Sequence, residues 1–237
     1  MPTPFKIIIV DDGFIGKYVE RELSAHPVRA GQTAELMSPA DYAEVAAADV
    51  VVDTTGAVTC FPEGCLSISV AMSPCASACL RLSLPAVVGT GMSGQLMDMA
   101  RGINAGWYFN IGGDRSRMSV VHAVSVATAV RLAVKSGDYA GDWLLTDGLD
   151  PLRSDVAVAL ACRLGQKRVY TMPIKWHKIL ARLGDKLRFM PYSSVRLNAM
   201  TCDAIKEGRT FADVCPDWRP VDTVDYLKTH DYSDETF

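Results

Sequence analysis

Apolar positions along this chain change period abruptly near its start. Residues 5–10, Phe-Lys-Ile-Ile-Ile-Val, are a short run rich in β-branched side chains, which predicts a buried parallel strand. From Phe14 the spacing becomes helical: Phe14, Ile15, Val19 and Leu23 share one face, with Lys17, Glu20, Arg21 and Glu22 largely between them. Gly13 and Gly16 break the first pattern before the second begins, so the order is strand, glycine turn, helix. A second short strand is predicted over 33–37. A third runs from Asp49 through Val50-Val-Val-Asp53 into the polar turn Thr54-Thr55-Gly56. Strands alternating with helices predict a parallel sheet. Later, a β-branched strand ends at His122, and helices are predicted over 124–134 and 173–183. In the last of these, Trp176, Ile179, Leu180 and Leu183 fall on one face, and core packing is the commoner explanation of such a stripe. Residues 186–203 are mixed, and the polar tail 229–237 reads as mobile.

Composition narrows the class without deciding it. With 237 residues, 49% hydrophobic, 22% charged and a formal net charge of -3, the chain fits one main α/β unit, 1–165, and a smaller C-terminal region, 166–237. No apolar run is long enough to span a membrane, and Met-Pro-Thr-Pro-Phe-Lys lacks the pattern of a secretory signal; the expectation is a cytoplasmic protein with no membrane partner. No cluster of Lys and Arg interleaved with aromatics appears, so nucleic acid is not an expected partner. The seven cysteines include no Cys-x-x-Cys pair and read as buried free thiols, with no metal site expected.

The first turn carries the candidate chemistry. A dinucleotide-binding turn of the form G-x-G-x-x-G uses its first Gly for the tight bend. The second lets the backbone approach the pyrophosphate, and the third lets helix pack on strand. Here those positions read Asp11, Gly13 and Gly16. A carboxylate at the first position crowds the bend and sets negative charge beside a phosphate site. In another alignment Gly13-Phe-Ile-Gly16 ends a longer T-G-x-x-G-x-x-G turn, with one residue missing and Val10 in place of the first Gly.

Several later segments keep a familiar order. Leu84-Pro-Ala-Val-Val-Gly-Thr-Gly91, Arg117-Met-Ser-Val-Val-His-Ala123, Leu144-Leu-Thr-Asp-Gly148 with the helical stretch 155–164, and the closing Trp218-Arg-Pro-Val-Asp-Thr-Val-Asp-Tyr-Leu227 follow the first turn. Together the chain resembles the NAD-dependent epimerase/dehydratase family, the extended or atypical short-chain dehydrogenase/reductases. The resemblance covers most of the chain except roughly 58–82. It implies a Rossmann-like doubly wound parallel sheet with a smaller C-terminal α/β substrate-type region, the sheet being reduced by an internal deletion. It also implies NAD or NADP as cofactor, with Asp11 weakening its binding, and a nucleotide-sugar-type substrate.

By the resemblance, the cofactor-binding candidates are Asp11, Asp12, Gly13, Phe14, Ile15, Gly16, Ser38, Asp53, Thr54 and Thr55, and the substrate-binding candidates are Thr90, Arg117 and His122. Ser38 and Asp41 after the second strand do not choose between NAD and NADP. Arg117 suits phosphate because a guanidinium binds it bidentately, and a surface loop position is an equal reading. A lone His such as His122 is more often a packed, hydrogen-bonded residue. The family's catalytic Tyr and the Lys four positions later have no counterpart: no Tyr in this sequence is followed four residues on by Lys. Catalytic residues therefore stay unassigned. Ser67, Ser69, Ser73, Ser77 and Arg81 lie where that pair belongs, without an evident base. Two readings stand: an NAD(P)-dependent epimerase, dehydratase or reductase, and a non-catalytic relative that binds a small ligand or a protein. Pairing through the family's usual helices, as a homo-oligomer, is left in question by the same gap.

Overall fold

The computed structural model describes residues 5–42, 48–58, 60–62, 64–166, 168–186 and 193–229. The polar tail from 230 onward and residues 187–192 of the mixed segment lie outside them. The opening pattern becomes β1 (Lys6–Val10), α1 (Ile15–Ala25) and β2 (Thr33–Met37), followed by the one-turn α2 (Pro39–Tyr42) and β3 (Val50–Asp53). Next come β4 (Leu66–Ala71), β5 (Leu80–Ser83), β6 (Ala86–Val88) and α3 (Gly94–Asn104). The second half runs β7 (Phe109–Gly112), β8 (Val120–His122), α4 (Ala123–Ser136), β9 (Gly141–Leu144) and α5 (Arg153–Arg163). The last elements are β10 (Tyr170–Pro173), α6 (Ile174–Lys186), α7 (Ser194–Thr201) and α8 (Thr223–Thr229).

Six strands form one parallel sheet in the order β2-β1-β3-β4-β5-β9, and two parallel pairs, β10-β7 and β6-β8, stand apart from it. The strand order reverses beside β1, which places a crevice at the carboxyl ends of β1 and β3. One face of the sheet carries the main core. Ile7, Ile9, Val52, Ile68, Val70 and Leu82 pack there against Val19 and Leu23 of α1 and Val126 and Val130 of α4. Phe211 and Trp218 close this layer, and the Trp218 indole donates to Ser125 O at 2.9 Å.

The opposite face changes character from one side to the other. On β1 and β3, Ile8, Val10 and Val51 are covered by Tyr42 and Val58. In the register of the sheet, Val10 is followed by Asp53 on β3, Ser69 on β4, Arg81 on β5 and Asp142 on β9. Neither the β3–β4 nor the β4–β5 connection contains a helix among the described residues. The polar row holds the second of these connections directly. Ser69 Oγ accepts the Cys75 N–H at 2.8 Å and Ser67 Oγ accepts the Cys79 N–H at 2.9 Å. The Arg81 guanidinium donates to Ala76 O and Ala78 O and pairs with Asp142, Nη2 to Oδ2 at 2.6 Å. Tyr42 similarly donates to Cys60 O at 3.2 Å. Burial, helped by nearby thiols and Asp53, pushes the Tyr42 phenol up to about 12, so it stays a neutral donor at ordinary pH. Along β4 and β5, whose described connections carry no helix, this face needs hydroxyls and a guanidinium to satisfy loop backbone that would otherwise be stranded.

Two sequence expectations are corrected. The apolar stripe of α6 is not core: Trp176, Ile179 and Leu183 are exposed, and the buried positions of that helix are His177, Ala181 and Gly184. The helix packs instead on α7, β7 and β10, with Ala181 in a small cluster with Ile111 and Leu197. The cysteines are all free, but only Cys215 is buried, because several of the others lie on the covering loops rather than in the core.

Replacing Ser69 by Ala strands the half-buried Cys75 amide and removes a partner of Asp53. The expected loss is about 1–3 kcal/mol of unfolding free energy in urea, with faster exchange of the Cys75 amide. An unchanged midpoint together with unchanged exchange would contradict this role for the polar row.

Candidate functional site

The crevice at the end of β1 is built around Asp11. Its side chain lies against the start of α1: a Cβ placed on Gly16 would fall 2.4 Å from Asp11 Cβ and 2.9 Å from its Oδ2. Gly16 is thus needed at this position because Asp11 fills the space before the helix. The Thr54 hydroxyl lies 2.5 Å from Asp11 Oδ1 and 2.9 Å from Val10 O, tying the turn after β3 to the turn after β1. Asp53 is fully buried and turns back into its own loop. Its Oδ1 accepts the N–H groups of Thr55 and Gly56, both at 3.0 Å, and the Thr55 hydroxyl at 2.7 Å. Its Oδ2 accepts from Ser69 at 3.2 Å. Asp12 and Gly13 are exposed on the rim, and Phe14 touches Gly91 of the loop after β6, where an added Cβ would lie 2.9 Å from Phe14 Cβ. Ile15 packs on the main core, and the exposed Ser38 hydroxyl donates to Asp41 at 2.7 Å, a local cap of α2.

Across the chain, α3, α5, β10, α6 and α7 surround a separate cavity of about 230 Å³. Met99, Trp107, Phe109, Met172, Leu180 and Met200 give it apolar walls. Arg153, the first residue of α5, also lines it and is only 3% exposed. His177 is buried at the same cavity, and burial lowers its basicity against an opposing hydrogen bond to the Asn110 backbone.

No family model matches the chain, and the comparison with curated proteins finds no relative by sequence. Solved structures match it in fold. A human epimerase family protein, SDR39U1 isoform 2 with NADPH, superposes with a TM-score of 0.63 at 11% identity, over 94% of this chain and 98% of that one. The ADP-L-glycero-D-manno-heptose-6-epimerase of Helicobacter pylori gives 0.60 at 9% identity, over 94% and 93%. The Thermus thermophilus UDP-glucose 4-epimerase in complex with NAD gives 0.55 at 12%, over 94% and 97%. The fold is that of the NAD(P)-dependent epimerases.

Within this epimerase fold the sequence candidates separate. Asp11, Asp12, Gly13, Phe14, Gly16, Thr54 and Thr55 gather at the carboxyl edge of β1 and β3. Thr90 bridges two helices: its N–H donates to Tyr18 Oη at 2.9 Å and its hydroxyl accepts from Arg163 at 3.1 Å. His122 is buried at the start of α4, where Nδ1 accepts the Val124 N–H at 3.3 Å and the ring lies 4.4 Å from that of Tyr226. Arg117 is exposed, donates to Asp150 O at 3.3 Å and is not among the residues lining the cavity.

Two residues were missed by sequence reasoning. Lys206 reaches the carboxyl edge from far along the chain, its Nζ donating to Met72 O and Leu84 O, both at 3.0 Å. It therefore ties together the residues that follow β4 and β5, and burial holds its ammonium below the ordinary lysine value. No local pattern marks it. Arg153 did carry a signal: Arg153, Val156, Ala157 and Leu160 recur at helical spacing, so a cation stands on the apolar face of α5.

Because Asp11 and Gly16 share one space, their substitutions should be strongly non-additive. Gly16→Ala alone should cost about 1–3 kcal/mol through overpacking, and much less in an Asp11→Gly background, as read from a urea double-mutant cycle. Additive costs would mean that Asp11 does not occupy that space.

Proposed function

We propose that this chain is a ligand-binding member of the epimerase fold that takes a nucleotide-type small molecule at the carboxyl edge of its sheet without hydride transfer. The observation that carries the reading is the β4–β5 connection, residues 72–79. It crosses the sheet as a loop held by Ser67, Ser69 and Arg81, where the resemblance calls for a helix bearing Tyr and Lys. No tyrosine or lysine occurs in that loop to relay a proton or hold a nicotinamide ribose. Arg81 does not substitute, since a guanidinium does not release its proton near neutral pH and is already paired with Asp142.

The glycine turn itself fits a dinucleotide only in part. Gly13 and the start of α1 offer backbone amides of the kind that bind phosphate. The Asp11 carboxylate beside them opposes a pyrophosphate and suits a hydroxyl-bearing or cationic group better. A nicotinamide dinucleotide, if bound there, would supply a hydride acceptor. Gly13, Gly16 and Thr55 would hold it, and Asp11 would work against its phosphates. The solved neighbours carry NADPH or NAD, which supports a nucleotide as the class of ligand. A second reading, a working reductase or epimerase, is favoured by Lys206, whose ammonium stands at the ends of β4 and β5.

Calorimetric titration with NAD, NADH, NADP and NADPH at low salt separates these readings. The wild-type chain should bind all four weakly, and Asp11→Gly should bind about tenfold more tightly once the opposing charge is removed. Hydride exchange between NADPH and a nucleotide sugar should be undetectable. Exchange abolished by Lys206→Met, in a variant that stays folded, would establish the enzymatic reading instead.

A further inference from the structure

We propose that the cavity over α5 is a binding site for a small organic acid, with an apolar or aromatic body and a single carboxylate held by Arg153. It is separate from the carboxyl-edge crevice and does not rest on dinucleotide binding there.

The first observation is a buried cation without a partner. Nε, Nη1 and Nη2 of Arg153 are all buried, and none has a hydrogen-bond partner. No ion pair within the described residues reaches it. Its backbone is anchored, the N–H donating to Ser116 O at 2.9 Å, so the side chain is fixed at the root while its charged end is left unsatisfied. An isolated buried charge is among the most unfavourable features a protein can hold, and buried charges are ordinarily paired. Among the described residues no carboxylate supplies the counter-charge. Asp114 shares a small adjoining void with Arg153, but its Oδ1 accepts the Ser116 N–H at 3.2 Å and its Oδ2 accepts the Ser116 hydroxyl at 2.6 Å. Asp98, at the same cavity, is paired with Arg196 at 3.3 Å, joining α3 to α7.

The second observation is the cavity that Arg153 lines. Its volume of about 230 Å³ gives room for a ring with a short acid arm. Thioether and aromatic groups from Met99, Trp107, Phe109, Met172 and Met200 line it, and these soft, flat surfaces fit an apolar or aromatic body. A guanidinium matches a carboxylate in a planar, bidentate fork. A phosphate or diphosphate calls for several converging donors, and Arg153 is the one buried cation among the described lining residues. Burial keeps His177 from adding a second.

The experiment is a calorimetric titration of the full chain with phenylpropanoate, its neutral amide, phenyl phosphate and UDP. Phenylpropanoate should bind, with the amide weaker by about tenfold or more because it cannot pair with the guanidinium. Arg153→Met should abolish acid binding and, by removing an unpaired buried charge, raise the melting temperature of the free chain. Leu180→Trp, which fills the cavity and leaves Arg153 in place, should also block the acid while leaving the dinucleotide titration unchanged. Equal binding of acid and amide, or retention of acid binding by Arg153→Met, would overturn the role of the guanidinium. Tighter binding of phenyl phosphate or UDP than of the acid would overturn the carboxylate class. No binding of any of the four, with Arg153→Met less stable than wild type, would show Arg153 to be structural and sink the proposal.

Discussion

A parallel sheet has two faces, and both must be covered. That constraint organises the whole of this protein: the long helices α1 and α4 cover one face, and among the described residues the other face receives the one-turn α2 through Tyr42. The other face is apolar only along β1 and β3, where Tyr42 and Val58 shield it, and becomes polar along β4, β5 and β9. Loop backbone laid on a sheet needs hydrogen-bond partners that a hydrophobic surface cannot offer. Ser67, Ser69 and Arg81 provide them, and Asp53 completes the network by anchoring its own turn as well as receiving Ser69.

The same economy of helices shapes the carboxyl edge. A short loop from β4 to β5 leaves no platform for residues reaching over a cofactor, so the groups at this edge come from turns and from distant parts of the chain. Asp11 fills the start of α1, Thr54 joins two turns, and Lys206 binds the carbonyls that follow β4 and β5. The charge at this edge is set by Asp11 from the first turn and Lys206 from far along the chain.

Charge is handled differently on the sheet and at the cavity. Asp53 and Arg81 are buried or half-buried with several hydrogen bonds each, so their burial is compensated within the fold. Arg153 is buried with none to its guanidinium, at the wall of an apolar cavity. Networks that are satisfied hold the sheet together. A group that the chain leaves unsatisfied points to something from outside the chain.

The sequence by itself determined the elements whose signals are local. The β-branched run before Gly13, the helical spacing after it, and strands 33–37 and 50–53 lie where their periodicity puts them. So do the helices beginning near 123 and 174, and the one beginning at 153 lies close to where the resemblance put it. Their side chains meet neighbours a few residues away, and period alone reports that. The order of the segments also pointed to the epimerase fold. Tertiary structure decided what depends on contact between distant positions. The alternation Ser67-Ile68-Ser69-Val70 reveals a polar face, but only the sheet register sets Ser69 beside Asp53 and Arg81 beside Asp142. The stripe on α6 looked like core because helical spacing says which residues share a face, not whether another element covers it. Arg117 and Arg153 are both arginines after polar turns in the sequence; packing exposes one and buries the other, since only Arg153 falls on the helix face turned toward α3 and the cavity.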